Sequence, residues 1–359
     1  MTKVEIDNLV SEITTLLRDI IRIESLSGKE VKRADFLFNY LESNNITTKK
    51  VGNNLYCTQP HFNKSYKTLI INSHIDTVAP VSGYSFDPFN PPLNEEKIYG
   101  LGSNDAGGAL ASMIVAFKEL YRVDLGYNLV LAISCEEENS GKGGIELLML
   151  ELEKEIRVDC AIVGEPTQMK AAIAERGLLV LDCEVMGVSG HAARSEGVNA
   201  IYKAIEEIQK IKSIKFDKIS PQMGEVNLNI TQINAGIQHN VIPDICKFVV
   251  DIRPTDCYSN QEIVDLIRGQ IKCEIHPRSL HNRSSATPQN HPLLKCAQAL
   301  GIELYSSPTT SDWMRLKVPA IKMGPGDSSR SHRADEYILL NEIESGITGY
   351  IKFLLNLKF

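Results

Sequence analysis

Residues 6 to 21 place Ile6, Leu9, Val10, Ile13, Leu16, Leu17, Ile20 and Ile21 at the three-four spacing of an amphipathic helix. A second helix is expected over Val31–Leu41, stopping at Ser-Asn-Asn. The pattern then changes. TLIINSH (68–74), NLVLAISC (128–135) and CAIVGEP (160–166) are short apolar runs without polar alternation, as expected of strands buried on both faces. The segments between them, GGALASMIVAFKELY and GKGGIELLMLELEKE, have helical length and period. Strands that alternate with helices predict an α/β fold, a mostly parallel sheet covered by helices.

After Arg176-Gly177 the texture shifts. LLVLDCEVMGV reads as a strand, NAIYKAIEEIQKI as a helix, EVNLNITQI and CKFVVDIRP as alternating strands, NQEIVDLIRGQI as a helix and KCEIHP as a last strand. That is the β-α-β-β-α-β order of a ferredoxin-like unit. SSATPQNHP reads as a linker, after which the α/β texture resumes. Asn341, with Glu344 three residues on, predicts the start of a C-terminal helix through a capping box. The expected organisation is a discontinuous domain, 1–177 and 285–359, with 178–284 inserted into it.

Composition narrows the class. The chain has 359 residues, 43% hydrophobic, which suits a globular protein of about two domains. Its formal charge of −7 argues against nucleic acid or an anionic membrane as partner. No apolar run approaches the roughly 18 residues of a membrane span, and the acidic amphipathic N-terminus does not read as a signal peptide. Eight scattered cysteines, with no Cys-x-x-Cys pair, point to a reducing, cytoplasmic compartment.

Candidate chemistry gathers where the buried strands end. His74 and Asp76 follow TLIIN, Glu136, Glu137 and Glu138 follow NLVLAISC, and Glu165 follows CAIVG. Sites in open α/β sheets lie outside the carboxyl ends of the strands. Asp105 sits in GLGSNDAGG, and His332 follows a Gly-Pro-Gly turn in GPGDSSRSHRADEY. Singly, each has an ordinary reading: a chance His-x-Asp, a solvated helix start, a turn, a surface histidine. Together, carboxylates on one rim repel one another unless a cation neutralises them, and acids with two histidines suit zinc-like ions.

These motifs, with GHAA, NVIPD and IRP in the same order, resemble the zinc-dependent amidohydrolases that include acetylornithine deacetylase, succinyl-diaminopimelate desuccinylase and carboxypeptidase G. The resemblance spans nearly the whole chain. It implies two divalent metal ions, zinc or alternatively cobalt, bridged by Asp105. His74 and Glu165 would complete one ion's ligands, Glu138 and His332 the other's. Asp76 would orient His74 and Glu137 would be the general base. The family's glycine lies five residues after its metal-binding glutamate, as Gly143 follows Glu138, which favours 137/138 over 136/137 for base and ligand. His191 matches a histidine that reaches the oxyanion from a partner subunit, implying a homodimer through a lid formed by 178–284. Its ordinary reading is a surface loop histidine. Arg253 and Asn240 match positions that bind a substrate carboxylate, although Arg253 also reads as half of a surface ion pair. Thr310 matches a Gly-Thr-Ser-Asp segment in which Thr309 replaces the glycine.

The implied activity is hydrolysis of the amide of a small N-acyl amino acid. The GPGDSSRSHRADEY form resembles the acetylornithine deacetylase branch, hence arginine biosynthesis. A desuccinylase and a carboxypeptidase or dipeptidase are the alternatives. A non-catalytic scaffold is disfavoured, because base and ligand candidates are all retained.

Overall fold

The long apolar runs form strands because backbone and side chains are both satisfied inside a sheet. The structure is a computed structural model that describes residues 1–194 and 196–359. The chain divides into one unit of Met1–Ile173, Ala286–Tyr305 and Ser311–Phe359, and another of Ala174–Ser285 and Ser306–Thr310.

The first unit opens with α1 (Lys3–Ile21), α2 (Val31–Ser43) and the hairpin of β1 (Thr48–Val51) and β2 (Asn54–Thr58). There follow β3 (Thr68–His74), β4 (Lys97–Tyr99), α3 (Gly108–Leu120), β5 (Asn128–Ser134), α4 (Ile145–Leu152), β6 (Cys160–Val163) and β7 (Ala171–Glu175). Helix α1 starts on a capping box in which Thr2 and Glu5 each bond the other's backbone N–H.

The second unit contains β8 (Leu179–Met186), β9 (Gly190–His191), α5 (Ala200–Ser213), β10 (Asn227–Ala235), β11 (Val241–Ile242), β12 (Ile245–Arg253), α6 (Asn260–Arg268) and β13 (Glu274–Pro277). Its sheet runs β10-β12-β8-β13, with every pairing antiparallel. Burial alternates along β8, and Leu181, Phe248, Val250, Ile263 and Ile267 fill the core beneath the helices. Set aside the two short strands β9 and β11, and the order of elements is β-α-β-β-α-β.

The chain then adds β14 (Ser285–Ala286), α7 (Pro292–Ala299), β15 (Leu304–Ser307), β16 (Ala320–Lys322), β17 (Tyr337–Leu339) and α8 (Leu340–Asn356). The segment expected as a linker is therefore ordered: Ser285–Ala286 lies beside β7, and the His291 side chain caps α7 by accepting the Leu293 N–H. The capping pair expected at Asn341 and Glu344 is also displaced. Leu339 donates its N–H to Glu342 at 2.9 Å, so the last residue of β17 is the N-cap.

In the large sheet β3 is parallel to both β5 and β6, and β16 is parallel to β6. The hairpin strands and β7 flank this parallel core antiparallel. Strands β3 and β5 are buried at every position. Helices α1, α3 and α8 cover one face with Leu17, Phe117 and Phe353, while α4 and Trp313 cover the other. Register aligns the strand ends: His74 pairs with Ser134, and Asn72 with Val163. The residues just beyond β3, β5 and β6 therefore emerge side by side. All eight cysteines are free thiols. Among the described residues no helix is long and apolar enough to cross a membrane.

Candidate metal centre

His74 closes β3 and is buried. Its Nδ1 lies 3.0 Å from the Asp76 carbonyl oxygen and 3.5 Å from Asp76 Oδ1. Donation from Nδ1–H to Asp76 turns the other ring nitrogen, Nε2, toward the neighbouring acids. That Nε2 is buried and has no hydrogen-bond partner. It faces Asp105 Oδ1 at 3.6 Å and Glu165 Oε1 at 4.0 Å. Ligands at about 2.1 Å around a tetrahedral ion stand roughly 3.4 Å apart. The spacing is thus too wide for hydrogen bonds and suited to a shared cation.

The other oxygen of Asp105 serves a second cluster. His332 Nε2 lies 3.5 Å from Asp105 Oδ2 and 3.0 Å from Glu138 Oε2. Ligand atoms of His74, Asp105 and Glu165 fall within 4.8 Å of one another, and so do those of Asp105, Glu138 and His332. Asp105 belongs to both groups, one oxygen toward each histidine.

Local contacts hold this geometry. The Asp76 carboxylate accepts the N–H of Glu137 at 3.0 Å, the N–H of Glu138 at 3.1 Å and the Ser27 hydroxyl at 2.6 Å. Asp76 therefore locks the turn after β3 to the turn after β5, beyond its contact with His74. Glu136 adopts a positive φ of 55° and turns aside, its carboxylate accepting the Gly143 N–H at 3.0 Å. A Cβ on Gly143 would displace that carboxylate. The backbone thus separates Glu136 from the ligand atoms that include Glu138. On the Asp105 loop, Asn104 exchanges side-chain hydrogen bonds with the backbone of Asp327 at 3.0 and 2.9 Å.

The electrostatics show a site overloaded with negative charge. Burial pushes Glu137 well above the usual carboxylate range, with Glu165 and Asp312 adding to the shift. Glu165 is pushed up to about 8, again by burial first and then by Asp105. Burial also raises Glu138 despite its bond to His332. Burial works to raise Asp105 too, but the flanking histidines outweigh it and hold the carboxyl low. Burial opposes the charge on His74, yet Asp105 and Asp76 hold its proton affinity well above that of a free imidazole. The Glu138 bond lifts His332 to about 9. Protons here compensate a charge that divalent cations would neutralise directly. The orphaned Nε2 of His74 and this excess of carboxylate fit the donor chemistry of such ions.

Glu336 and Asp312 also belong to this region, and no sequence motif marks either as a site residue. Glu336 is 2% exposed and accepts the N–H groups of Gly102, Asn104 and Asp105. Asp312 is buried, accepts the Ser134 hydroxyl and is pushed up to about 6 by burial. Both sit in motifs already in view, four residues after His332 and two after Thr310. Their roles depend on chain segments 178 to 234 residues away, which no local pattern encodes.

The remaining candidates lie in the second unit. His191 is exposed on β9, paired with Val241, and its Nδ1 accepts the Ala193 N–H at 3.1 Å. Asn240 is exposed and its carbonyl accepts the Ala192 N–H at 3.0 Å. Arg253 forms a two-pronged pair with Asp251 at 2.9 and 3.2 Å, so its guanidinium is engaged within its own strand. Thr310 is half-buried.

An uncharacterised metallohydrolase of Methanocaldococcus jannaschii is 28% identical over 353 residues, covering 94% of this chain and 96% of that protein. The acetylornithine deacetylase of Proteus mirabilis is 27% identical over 297 residues, 77% of this chain and 76% of the relative. Among solved structures, a Bacillus subtilis protein described as a dinuclear metal binding peptidase of family M20 superposes with a TM-score of 0.71 at 16% identity. That superposition covers 97% of this chain and 98% of the other, which shows a common fold. The model of peptidase family M20/M25/M40 matches residues 70–356, a span that carries every candidate ligand of both clusters, and the chain belongs to that family as a metallohydrolase.

Proposed function

We propose that this protein hydrolyses the amide bond of a small N-acyl amino acid, N-acetylornithine or a close analogue, at a two-zinc centre. The observation that carries the reading is Asp105, whose two oxygens face separate histidine-carboxylate clusters beside the buried Glu137. His74 and Glu165 would hold one ion, Glu138 and His332 the other, with Asp105 between them; cobalt is the alternative metal. The ions would polarise the acyl carbonyl and lower the proton affinity of a water at the centre.

Glu137 then does the proton chemistry. It takes a proton from the attacking water and returns it to the leaving amine. Asp76 fixes the backbone of Glu137 and Glu138, keeping base and ligand in register. By resemblance to the family, His191 donates to the oxyanion in a homodimer formed through the second unit. Arg253, Asn240 and Thr310 are assigned to the substrate carboxylate on the same ground. Arg253 would have to exchange its Asp251 partner for the ligand. Free thiols throughout support a reducing, cytoplasmic setting.

The acetylornithine deacetylase relatives and the segment around His332 support this choice of substrate. The test is turnover on N-acetyl and N-succinyl derivatives of ornithine, citrulline, lysine and diaminopimelate with the zinc-loaded protein. Preference for N-acetylornithine supports the proposal. Preference for any succinyl substrate reassigns the acyl group, and cleavage of dipeptides alone moves the protein to the peptidase branch.

A further inference from the structure

Beneath the Asp105 loop lies a buried carboxylate that the proposed mechanism does not use. Glu336 Oε1 accepts the N–H of Asn104 and the N–H of Asp105, both at 2.9 Å, and Oε2 accepts the N–H of Gly102 at 3.1 Å. The Glu336 carbonyl oxygen in turn accepts the Gly100 N–H at 3.0 Å. One residue therefore binds the main chain of the 100–105 loop at successive points, ending on the amide of Asp105 itself. Gly102, with a φ of +76° and a Cβ position occupied by Thr77, lets that loop wrap around the carboxylate.

The same segment carries His332, whose Nε2 faces Asp105 Oδ2. His332 thus approaches the Asp105 side chain while Glu336, four residues on, grips its backbone. A second anchor holds the segment from outside: Asp335 accepts both the N–H and the hydroxyl of Ser85 at 2.8 Å.

We infer that Glu336 is a positioning residue that sets the orientation of Asp105, so that its two oxygens reach both ligand clusters at once. The inference rests on the reading of Asp105 as a bridge. A bridging carboxylate is sensitive to its backbone, because a rotation that brings one oxygen closer to His74 takes the other away from His332. Amide donors fix that rotation better than side chains, since they move only with the loop. Glu336 does not touch the reacting groups; it acts through Asp105. Gln at this position presents one carbonyl oxygen and an NH2 group, so at least one of the loop N–H groups faces a donor. Asp keeps the charge but is one methylene short of the loop.

The test measures zinc affinity by chelator competition, with kcat and KM on the preferred substrate, for wild type, Glu336→Gln, Glu336→Asp and Ser85→Ala. The inference expects about a 10-fold to 100-fold loss of affinity in Glu336→Gln, the range seen when groups supporting metal ligands are removed. It also expects reduced kcat with KM nearly unchanged, and an intermediate effect in Glu336→Asp. Ser85→Ala, which loosens the segment without touching the carboxylate, should bind zinc as wild type does. Wild-type zinc affinity and kcat in folded Glu336→Gln overturn the inference. An equal loss in Ser85→Ala also overturns it, because the effect then belongs to the segment as a whole. If Glu336→Gln does not fold, Glu336→Asp decides on the same readouts. Wild type that binds no zinc removes the bridge reading itself, a result distinct from a failure of Glu336.

Discussion

Asp76→Asn changes almost no volume, so its effect falls on the hydrogen bonds of this carboxylate and on the charge that supports the His74 proton. The Asp76 carboxylate receives the amides of Glu137 and Glu138 and the hydroxyl of Ser27, with the His74 ring beside it. Asparagine offers a single acceptor oxygen. Whichever way its amide turns, the N–H of Glu137 or that of Glu138 meets an NH2 group. A buried donor left without a partner costs about 1–3 kcal/mol, and each hydrogen bond that loses its ionic partner weakens by about 1 kcal/mol. One surviving bond is weakened if the oxygen stays beside Glu137 and two if it stays beside Glu138 and Ser27, so the hydrogen-bond part is a destabilisation of about 2–5 kcal/mol in the metal-free protein. The group is buried, so solvent screening does not erode this figure. Because the turn that carries Glu138 is the part released, zinc affinity should fall about 10-fold to 100-fold as well. Ser27→Ala removes one neutral donor and leaves both amides in place, so it should cost about 1 kcal/mol and little zinc affinity. Thermal unfolding with and without zinc, together with chelator competition, reads both quantities. Equal effects in the two variants, or wild-type behaviour in Asp76→Asn, would refute the argument that this carboxylate organises the glutamate turn.

Glu137→Gln should retain zinc and lose about 10²-fold to 10⁴-fold in kcat, since it removes the proposed base and no proposed ligand; turnover near wild type would reassign that role to Glu136. The metal-free protein should also lose stability as pH rises. Glu165 titrates near 8 in the folded chain against 4.5 ordinarily, so its contribution is complete below 4.5 and is lost as pH climbs through about 8. His74, raised above its ordinary 6.5, acts in the same direction above that pH, while Asp105 and Asp76, held low, matter only below about 4. Zinc replaces those protons, so the difference in Tm between zinc-loaded and metal-free protein should widen from about pH 5 to 8; a constant or shrinking difference contradicts the assignment. Phe117→Ala empties a fully buried site between α3 and its neighbours and should destabilise the first unit by about 3–5 kcal/mol in urea unfolding; a loss under 1 kcal/mol would show that α3 repacks.

The parts of this protein that could be read in the sequence are those set by local pattern. TLIINSH runs as a strand from Thr68 to His74 with every side chain buried, and the apolar stretch Leu69–Ile71, with no polar alternation, is the signal for it in the sequence. The same holds for the strand ends, where His74, Glu138 and Glu165 follow their apolar runs onto one rim. The C-terminal helix starts at Leu340 rather than at the capping pair Asn341 and Glu344 for a physical reason. Strand β17 pairs with β4 up to Leu339, so the last residue of β17 caps α8, and Arg330 holds Glu342 in place with paired hydrogen bonds. A capping rule that sees only neighbouring residues cannot weigh that strand pairing. Glu336 and Asp312 were invisible for the same kind of reason, since each is defined by what folds against it. Arg253 shows the reverse case, a residue prominent in a motif whose partner Asp251 lies two positions away on the same strand.

In the proposed centre Asp105 serves two ions. Zinc bound per chain at saturation, measured by elemental analysis of wild type and Asp105→Ala after removal of excess metal, tests it most directly. The predicted result is two ions in the wild type and loss of tight binding at both positions in Asp105→Ala, because each cluster loses a ligand. Saturation of the wild type at one ion or none, or an Asp105→Ala protein that still holds two, would contradict the shared centre.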